Sequence, residues 1–405
     1  MKRISLLFIM IFVLQFIINV NNCPCQWVPI SNNISGNVNS FSSINGNIFV
    51  GTYLLLNNNP TYNPGVYITT NNGVNWTQTT FPYFAGSLHA KGTRLFATAY
   101  SNGSVSMYSD NLGVNWTNMN MQAYCFASNN TTLFAATGNG LLSSTNDGLN
   151  WSTRSSQVTP YLLVKDNFVY TAAGSANLWV SSNNGVNWTA ANGITNSVYS
   201  LATNGTEIYA GTYDGGVLKS TDNGYNFTHT TAFSGYQIYS LVATGSYIIA
   251  GAFSGTGIYV SANKGTSWTQ RNDGLGSSMI RTLFIANGFI FAAAGGTQIW
   301  RREFQNLVSV NNISAEISSA YSLSQNYPNP FNSSSKFKFK IAKLGNVKIT
   351  VYDLIGCEVE TLVNERLNAG TYSIQWNAGN YSSGVYFYRM QTEGYIETRK
   401  MTLIK

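Results

Sequence analysis

Six copies of the pattern (Ser/Thr)-x-(Asn/Asp)-x-Gly-x-x-(Trp/Phe) recur along this chain, and their spacing confines it to repeat architectures. The copies end at Trp76, Trp116, Trp151, Trp188, Phe227 and Trp268, at intervals of 40, 35, 37, 39 and 41 residues. A period that drifts around forty describes one supersecondary unit per repeat, with insertions confined to loops. The unit ending at Phe227 is typical. It reads VYSLATN, GTEIYAGT, GGVLKST and DNGYNFT. These are three short strand-like runs broken by Gly and Asn, then a fourth that ends on the aromatic. Four strands at this period describe a propeller blade.

The pattern itself carries a turn. Gly73, Gly113, Gly148, Gly185, Gly224 and Gly265 stand three residues before the aromatic, where a tight turn needs positive φ. Asn71, Asn111, Asn146, Asn183, Asp222 and Asn263 precede them by two. A short carbonyl-bearing side chain there accepts hydrogen bonds from turn N–H groups. Thr69, Ser109, Ser144, Ser181, Ser220 and Ser261 supply a hydroxyl two residues earlier. The aromatic anchors the fourth strand in apolar packing.

These residues resemble the Asp-box, or bacterial neuraminidase repeat, which lies at the turn between the third and fourth strands of a blade. Asp222 alone keeps the acid, and the other five copies carry Asn. Asn preserves the acceptor and loses the charge, so the positions read as structural. One carboxylate per turn is too few for a hard cation, and no metal or cofactor is expected.

Counting units predicts a seven-bladed β-propeller over residues 26–302. A seventh unit, MIRTLFIANGFIFAAAGGTQIWRRE, follows Trp268 and stops before a fourth strand. The fragment CQWVPI around Trp27 is the expected replacement, an N-terminal strand that completes the last sheet and removes an open edge. The first unit is longer because of an insert, LLLNNNPTYNP, expected as a surface loop.

The two ends read differently. Residues 1–25 begin with Lys2 and Arg3, run apolar from Ile4 to about Val20 and then turn polar. This is the pattern of a cleaved secretory signal peptide. An uncleaved anchor is the rival, since the run approaches spanning length. A lipoprotein reading of Cys23 is weaker, because Asn22 precedes it. Removal of the leader leaves Cys125 and Cys357 in separate regions, neither with a partner at metal-ligand spacing. Residues 303–321 lack the repeat, are rich in Ser and Asn, and read as a linker.

Residues 322–405 show strands in KFKFKI, NVKITVYD, TYSIQWNA, GVYFYRMQ and TRKMTLIK, separated by Gly and Asn turns. This predicts a small Ig-like β-sandwich, and an all-β chain overall. The segment resembles the type A C-terminal sorting domain of the type IX secretion system. The landmarks include Tyr327, Pro328, Pro330 and Phe331 in NYPNPFN, Gly356 in VYDLIG, Gly384 and Tyr386 in GVYFYR, and the terminal run Lys400 to Lys405. Cys357 and Ser333-Ser334 depart from the usual pattern. The resemblance implies recognition by an outer-membrane translocon and a sorting protease in a Gram-negative bacterium of the Bacteroidetes–Chlorobi kind. The product is then released or held at the surface. A permanent adhesive module is the plainer alternative.

Charge and catalytic residues set further bounds. The net charge is +7, but residues 26–303 carry ten Lys or Arg against eight acids. No basic patch for nucleic acid follows from that balance. Sialidase chemistry needs three clustered arginines with a Tyr–Glu pair. The family's Arg-Ile-Pro landmark is absent, and Arg94, Arg154 and Arg271 have the wrong context. A carboxylate-pair glycosidase needs two acids across a cleft. Asp166, Asp214 and Asp273 read as turn residues, and Glu207 and Glu303 lie at a turn and at the ring's end. His89 and His229 read as ordinary surface or turn histidines. Tyr53, Tyr62, Tyr83, Tyr100, Tyr213 and Tyr236 fall near loops, where rings can stack on sugars or a protein partner. The expectation is a secreted, noncatalytic binding module for glycan or protein. The alternatives are a polysaccharide hydrolase or lyase with an unrecognised site, and a mere spacer. Facing acids at the channel mouth favour an enzyme; Asn, Ser and Tyr favour binding.

Overall fold

A computed structural model describes residues 26–53, 63–99, 105–156, 160–172, 177–230, 235–308, 311–314, 320–367, 369–379 and 381–405. The expected leader, most of the first-unit insert, Tyr62 and Tyr100 lie outside the described residues. Among the described residues, apart from one five-residue helix, the regular elements are strands. No helix among the described residues is long and apolar enough to cross a membrane.

Between Gln26 and Glu303 the strands form seven four-stranded antiparallel sheets. Six of them are consecutive meanders, beginning at Asn37, Ala85, Ala123, Tyr161, Val198 and Ile238. The first strand of each sheet packs beside the first strand of the next. The strand Ile280–Ala286 of the seventh packs back on Asn37–Ile44 of the first. The sheets therefore close a ring around an axis lined by first strands, which is the propeller arrangement.

From its second residue on, the second strand of each sheet is buried, as in Leu133–Thr137, Ile208–Thr212 and Phe289–Ala294. Sheets cover it on both faces, so the sequence is a continuous run of apolar and small residues. Side chains from neighbouring sheets interleave into clusters, for example Ile48, Val50 and Trp76 with Phe291 and Ile299.

The seventh sheet closes as the sequence predicts. Val28 pairs with Arg301 and Pro29 with Trp300, so a strand from the N-terminal end supplies its outer edge. Trp27 is buried and donates its indole N–H to the Arg271 carbonyl at 2.7 Å. Helix Phe304–Val308 seals the same seam. Leu307 packs in the cluster with Trp27 and Trp300, and its carbonyl accepts from Arg271 Nε at 3.2 Å. The stretch read as linker is thus structured at both ends of its first half. It begins as a plug of the propeller core, and Asn311–Ser314 then pairs with Gly370–Asn377.

The C-terminal part is two four-stranded sheets face to face. One has the strand order 311–314, 370–377, 334–341, 322–323; the other has 358–367, 345–352, 384–392, 395–403. In Ser334–Ile341 buried and exposed residues alternate, with Phe337, Phe339 and Ile341 inward and lysines outward. Trp376, Tyr372, Tyr388 and Met401 fill the space between the sheets. The strand Glu358–Leu367 has no counterpart in the sequence reading.

Candidate functional site

The repeat turns share one geometry. The six motif glycines have φ between +82° and +86°, and the residue before each is also left-handed, from Asp147 at +53° to Asn223 at +59°. Each Ser or Thr hydroxyl donates to the Asn or Asp Oδ1 two residues on, for example Ser109 to Asn111 at 3.0 Å, and accepts the glycine N–H, as Gly113 does at 2.8 Å. The same Oδ1 accepts the N–H of the residue before the aromatic, from 2.8 Å at Asn183 to 3.0 Å at Asn71. Asp222 makes the same contacts as its Asn counterparts. Its carboxyl is held at about 2, chiefly by the Asn226 side-chain amide. Trp76 and Phe227 are buried, and Trp116, Trp151, Trp188 and Trp268 are half-buried. In each turn the Ser or Thr hydroxyl and the Asn or Asp Oδ1 are committed locally.

The acids of the propeller fall largely on that same end of the ring, at turns between first and second or third and fourth strands. There Asp110, Asp147 and Glu207 take cations, within one sheet or from the neighbouring one. Arg94 grips Asp110 with two bonds of 2.6 and 2.9 Å, and Lys91 pairs with Asp147. Glu207 lies between Lys219 at 3.2 Å and Lys264 at 3.3 Å. Burial pushes its carboxyl up, but hydrogen bonds from Asn204, Lys219 and Lys264 outweigh this and hold it at about 2. These carboxylates are structural ties rather than poised acids. His89 is not a turn residue as the sequence suggested. It lies within the first strand of the second sheet, with Nε2 2.8 Å from Ser128 Oγ of the third. Burial, then Lys91, lowers it to about 4, so it is neutral at pH 7. His229 is exposed, with Nδ1 3.2 Å from the Gly215 carbonyl.

The opposite end of the axis holds an open cavity of about 420 Å³. The first strands of all seven sheets contribute to it, through Asn39 and Ser40, Ser87, Tyr124 and Cys125, Tyr161, Tyr199, Tyr239, and Arg281 and Thr282. Only a site on the ring axis meets all seven. One backbone device builds it. In six of the seven first strands the register slips by one residue at the same place. The unpaired residue is Asn39, Tyr124, Tyr199, Tyr239 or Arg281, with Gly86 and Ser87 in the second sheet. A bulge re-aims the side chain it carries, and these extra residues are the ones that line the cavity. The fourth sheet keeps an unbroken ladder and presents Tyr161 from its first position.

The residues beside each bulge explain how it is tolerated. Ser40 donates to the Gly86 carbonyl at 2.7 Å, Ser200 to Ile238 at 3.3 Å, and Ser240 accepts from Leu283 N–H at 2.8 Å. Each serine thus stitches its strand to the next sheet. The residue across the ladder is small because the backbones approach closely; a Cβ on Gly211 would meet Ser200 Oγ at 2.3 Å.

The rings form a belt along one side of the mouth. Tyr161 meets Tyr199 edge-on at 5.8 Å, Tyr199 stacks on Tyr239 at 4.8 Å, and Tyr239 stacks on Phe253 at 4.4 Å. The Arg281 guanidinium sits 5.3 Å from the Phe253 ring and donates to the Tyr53 hydroxyl at 2.8 Å. Amide and hydroxyl groups of Asn39, Ser40 and Ser87 form the other side. Among the described residues that line the cavity there is no carboxylate. Cys125 donates weakly to the Pro160 carbonyl at 3.3 Å. Burial pushes its thiol up to about 12, which removes its thiolate chemistry at neutral pH.

Of the aromatics singled out in the sequence, Tyr53 and Tyr213 border this belt. Tyr83 packs on Phe81, and Tyr236 on Tyr259. The sequence reading missed Tyr161, Tyr199, Tyr239 and Arg281. The signal was the repeated triplet Tyr199-Ser200-Leu201 and Tyr239-Ser240-Leu241, aligned with Arg281-Thr282-Leu283.

The C-terminal landmarks gather at one end of the sandwich. Tyr327 is 83% exposed at the tip of NYPNPFN, while Phe331 is buried against Trp376. Phe331 N–H donates to the Thr402 carbonyl at 3.0 Å, and its own carbonyl accepts from Ile404 at 2.8 Å. Leu403 pairs with Gly384, and Tyr386 donates to the Ser382 carbonyl. Lys400 pairs with Phe387, and Lys405 Nζ reaches the Gly379 carbonyl at 2.7 Å. Tyr352 pairs with Phe387, which brings the turn with Leu354, Ile355 and Gly356 to the same end. Leu354 and Ile355 are exposed there.

Comparison with known proteins now separates the two parts. Residues 325–405 match the family described as the secretion system C-terminal sorting domain. The chain is an exported cargo. Its sorting domain, that of the type IX system, directs it to the cell surface or the extracellular space. No curated protein matches this sequence. Solved propellers resemble its fold. PorZ, a surface component of the type IX secretion system of Porphyromonas gingivalis, is 14% identical with a TM-score of 0.50. The alignment covers 92% of this chain and 60% of PorZ, so this chain spans less than two thirds of that protein. YCF48 from Cyanidioschyzon merolae is 12% identical with a TM-score of 0.53, over 69% of this chain and 99% of that one. YCF48 bound to D1 peptide is 13% identical with a TM-score of 0.56, over 69% and 95%. At these identities the likeness is one of fold.

Proposed function

We propose that this protein is an extracellular, noncatalytic glycan-binding module. In this reading residues 1–25 are a cleaved leader, and residues 26–302 form a seven-bladed Asp-box propeller, one blade per sheet. Residues 322–405 are then the segment that the type IX translocon recognises and its sorting protease removes. The observation that carries the binding role is the axial cavity. Bulges at equivalent positions turn tyrosines, an asparagine and an arginine into one mouth, and no acid is among them. Sugars suit such a mouth, because their C–H faces stack on aromatic rings while their hydroxyls meet amide and hydroxyl groups. Glycoside hydrolysis by a carboxylate pair has no candidates there.

The test is a glycan-array screen of the purified protein, followed by calorimetry on the hits and an assay on mixed polysaccharides. Tyr239→Ala should weaken binding about tenfold or more and leave the melting temperature within a few degrees, since the ring is at the rim rather than in the core. Release of shortened chains from any polysaccharide by the wild-type protein would overturn the noncatalytic reading.

A further inference from the structure

Among the described residues that line the mouth, Arg281 carries the one formal charge. At the far end of the ring, Arg94, Lys91, Lys219 and Lys264 have carboxylate partners in Asp110, Asp147 and Glu207. Arg281 has no carboxylate within ion-pair distance among the described residues. The undescribed propeller segments 54–62, 100–104, 157–159, 173–176 and 231–234 contain no Asp or Glu in their sequence. The guanidinium is nonetheless fixed in place. Its strand bulges to deliver it, the Tyr53 hydroxyl takes one N–H, and the Phe253 and Tyr53 rings flank it. A held guanidinium with spare donors is shaped for a planar anion, and a carboxylate is the anion that fits its fork.

The groups around Arg281 narrow the class. Tyr239 and Tyr199 offer ring faces and edges on one side, and Asn39 and Ser40 offer neutral polar groups on the other. A ligand that satisfies all three needs a face of C–H groups, several hydroxyls and one carboxylate. We propose that the mouth selects hexuronate-containing oligosaccharides. The uronate carboxylate pairs with Arg281, and its pyranose ring lies along the tyrosine belt. This rests on the mouth being the glycan site; what it adds is the acid.

The experiment uses oligomers of galacturonate, glucuronate and mannuronate, each beside its methyl ester, which keeps the sugar and removes the charge. Binding to the full chain is measured by calorimetry at low and moderate salt. At least one free acid should bind tenfold or more tightly than its ester, and salt should narrow the gap. Arg281→Gln should abolish the preference, and Arg281→Lys should keep part of it because the charge survives without the fork. Tyr239→Ala should weaken acid and ester together. Equal binding of acid and ester, or a preference that survives in Arg281→Gln, overturns the carboxylate inference and leaves glycan binding standing. Failure of every acid and ester, together with hits elsewhere on a neutral-glycan array, also overturns it. Failure across acids, esters and neutral glycans removes the binding reading as well. Should Arg281→Gln not fold, the acid-to-ester ratio of the wild-type protein decides alone.

Discussion

At the scale of single residues, charge in this protein is sorted by position. Asp110, Asp147 and Glu207 sit at turns and take cations there, while Arg281, with no carboxylate within ion-pair distance among the described residues, sits at the mouth. Glu207 illustrates the first group. It joins turns of the fifth and sixth sheets through Lys219 and Lys264, with Tyr209 donating at 3.1 Å. Its folded value is about 2 against 4.5 for the free side chain. A depressed carboxylate contributes its stability fully above the unfolded value and loses it as pH falls through the folded one. Glu207→Gln should therefore cost about 2 kcal/mol at pH 7, measured by chemical denaturation. The difference from wild type should shrink as pH falls from 4.5 toward 2; a gap independent of pH would contradict the ion-pair account. His89 works in the same direction over a different window. Its imidazole is held neutral, so stability should fall between pH 6.5 and about 4, and His89→Gln should flatten that part of the profile.

At the scale of elements, two local devices repeat: a turn that closes six of the seven sheets and a bulge in six of the seven first strands. The turn was legible in the sequence because its requirements are local. Positive φ calls for Gly, and an unsatisfied turn N–H calls for a short acceptor, so both leave a fixed pattern. Gly73→Ala should be costly, because its φ is +86° and a Cβ would lie 2.4 Å from Ile30 Cδ1. Gly92→Ala has φ +60° and nothing within 4 Å. The second should cost about 1 kcal/mol, the first clearly more, and comparable thermal melts would show that the turn tolerates displacement. The bulge was not legible. It inserts one residue into an otherwise regular alternation, and nothing about Tyr199 or Tyr239 distinguishes a rim ring from a core ring until the register is known. The strand Glu358–Leu367 was missed for a related reason. Two register shifts against Gly345–Tyr352 break its period, and its acidic residues read as loop.

At the scale of the molecule, the chain is a closed ring followed by an address. Both parts were legible as fold classes, the ring from its period and the tail from its ordered landmarks. The axial site was not, because it exists only when seven separated segments converge. Deleting residues 322–405 should leave the protein in the periplasm, as judged by cell fractionation; normal secretion of that truncation would refute the export role of the tail. Trp27→Ala should destabilise the ring by about 3 kcal/mol or more, since the indole fills the cluster that joins the first strand to the last sheet. Limited proteolysis should then cut first near residues 26–30.

That last junction also sets a schedule. Val28 cannot find Arg301 until nearly all the propeller residues between them have arrived. Contacts so distant in sequence form late, after the local hairpins. Until then the strand Gln298–Glu303 presents a bare outer edge, in a compartment where other chains are also unfinished. The sorting segment begins only a short distance behind that edge in the chain. Completion of the ring and emergence of the shipping label are therefore nearly simultaneous events, and a cargo that shows its label has already had the chance to shut its seam.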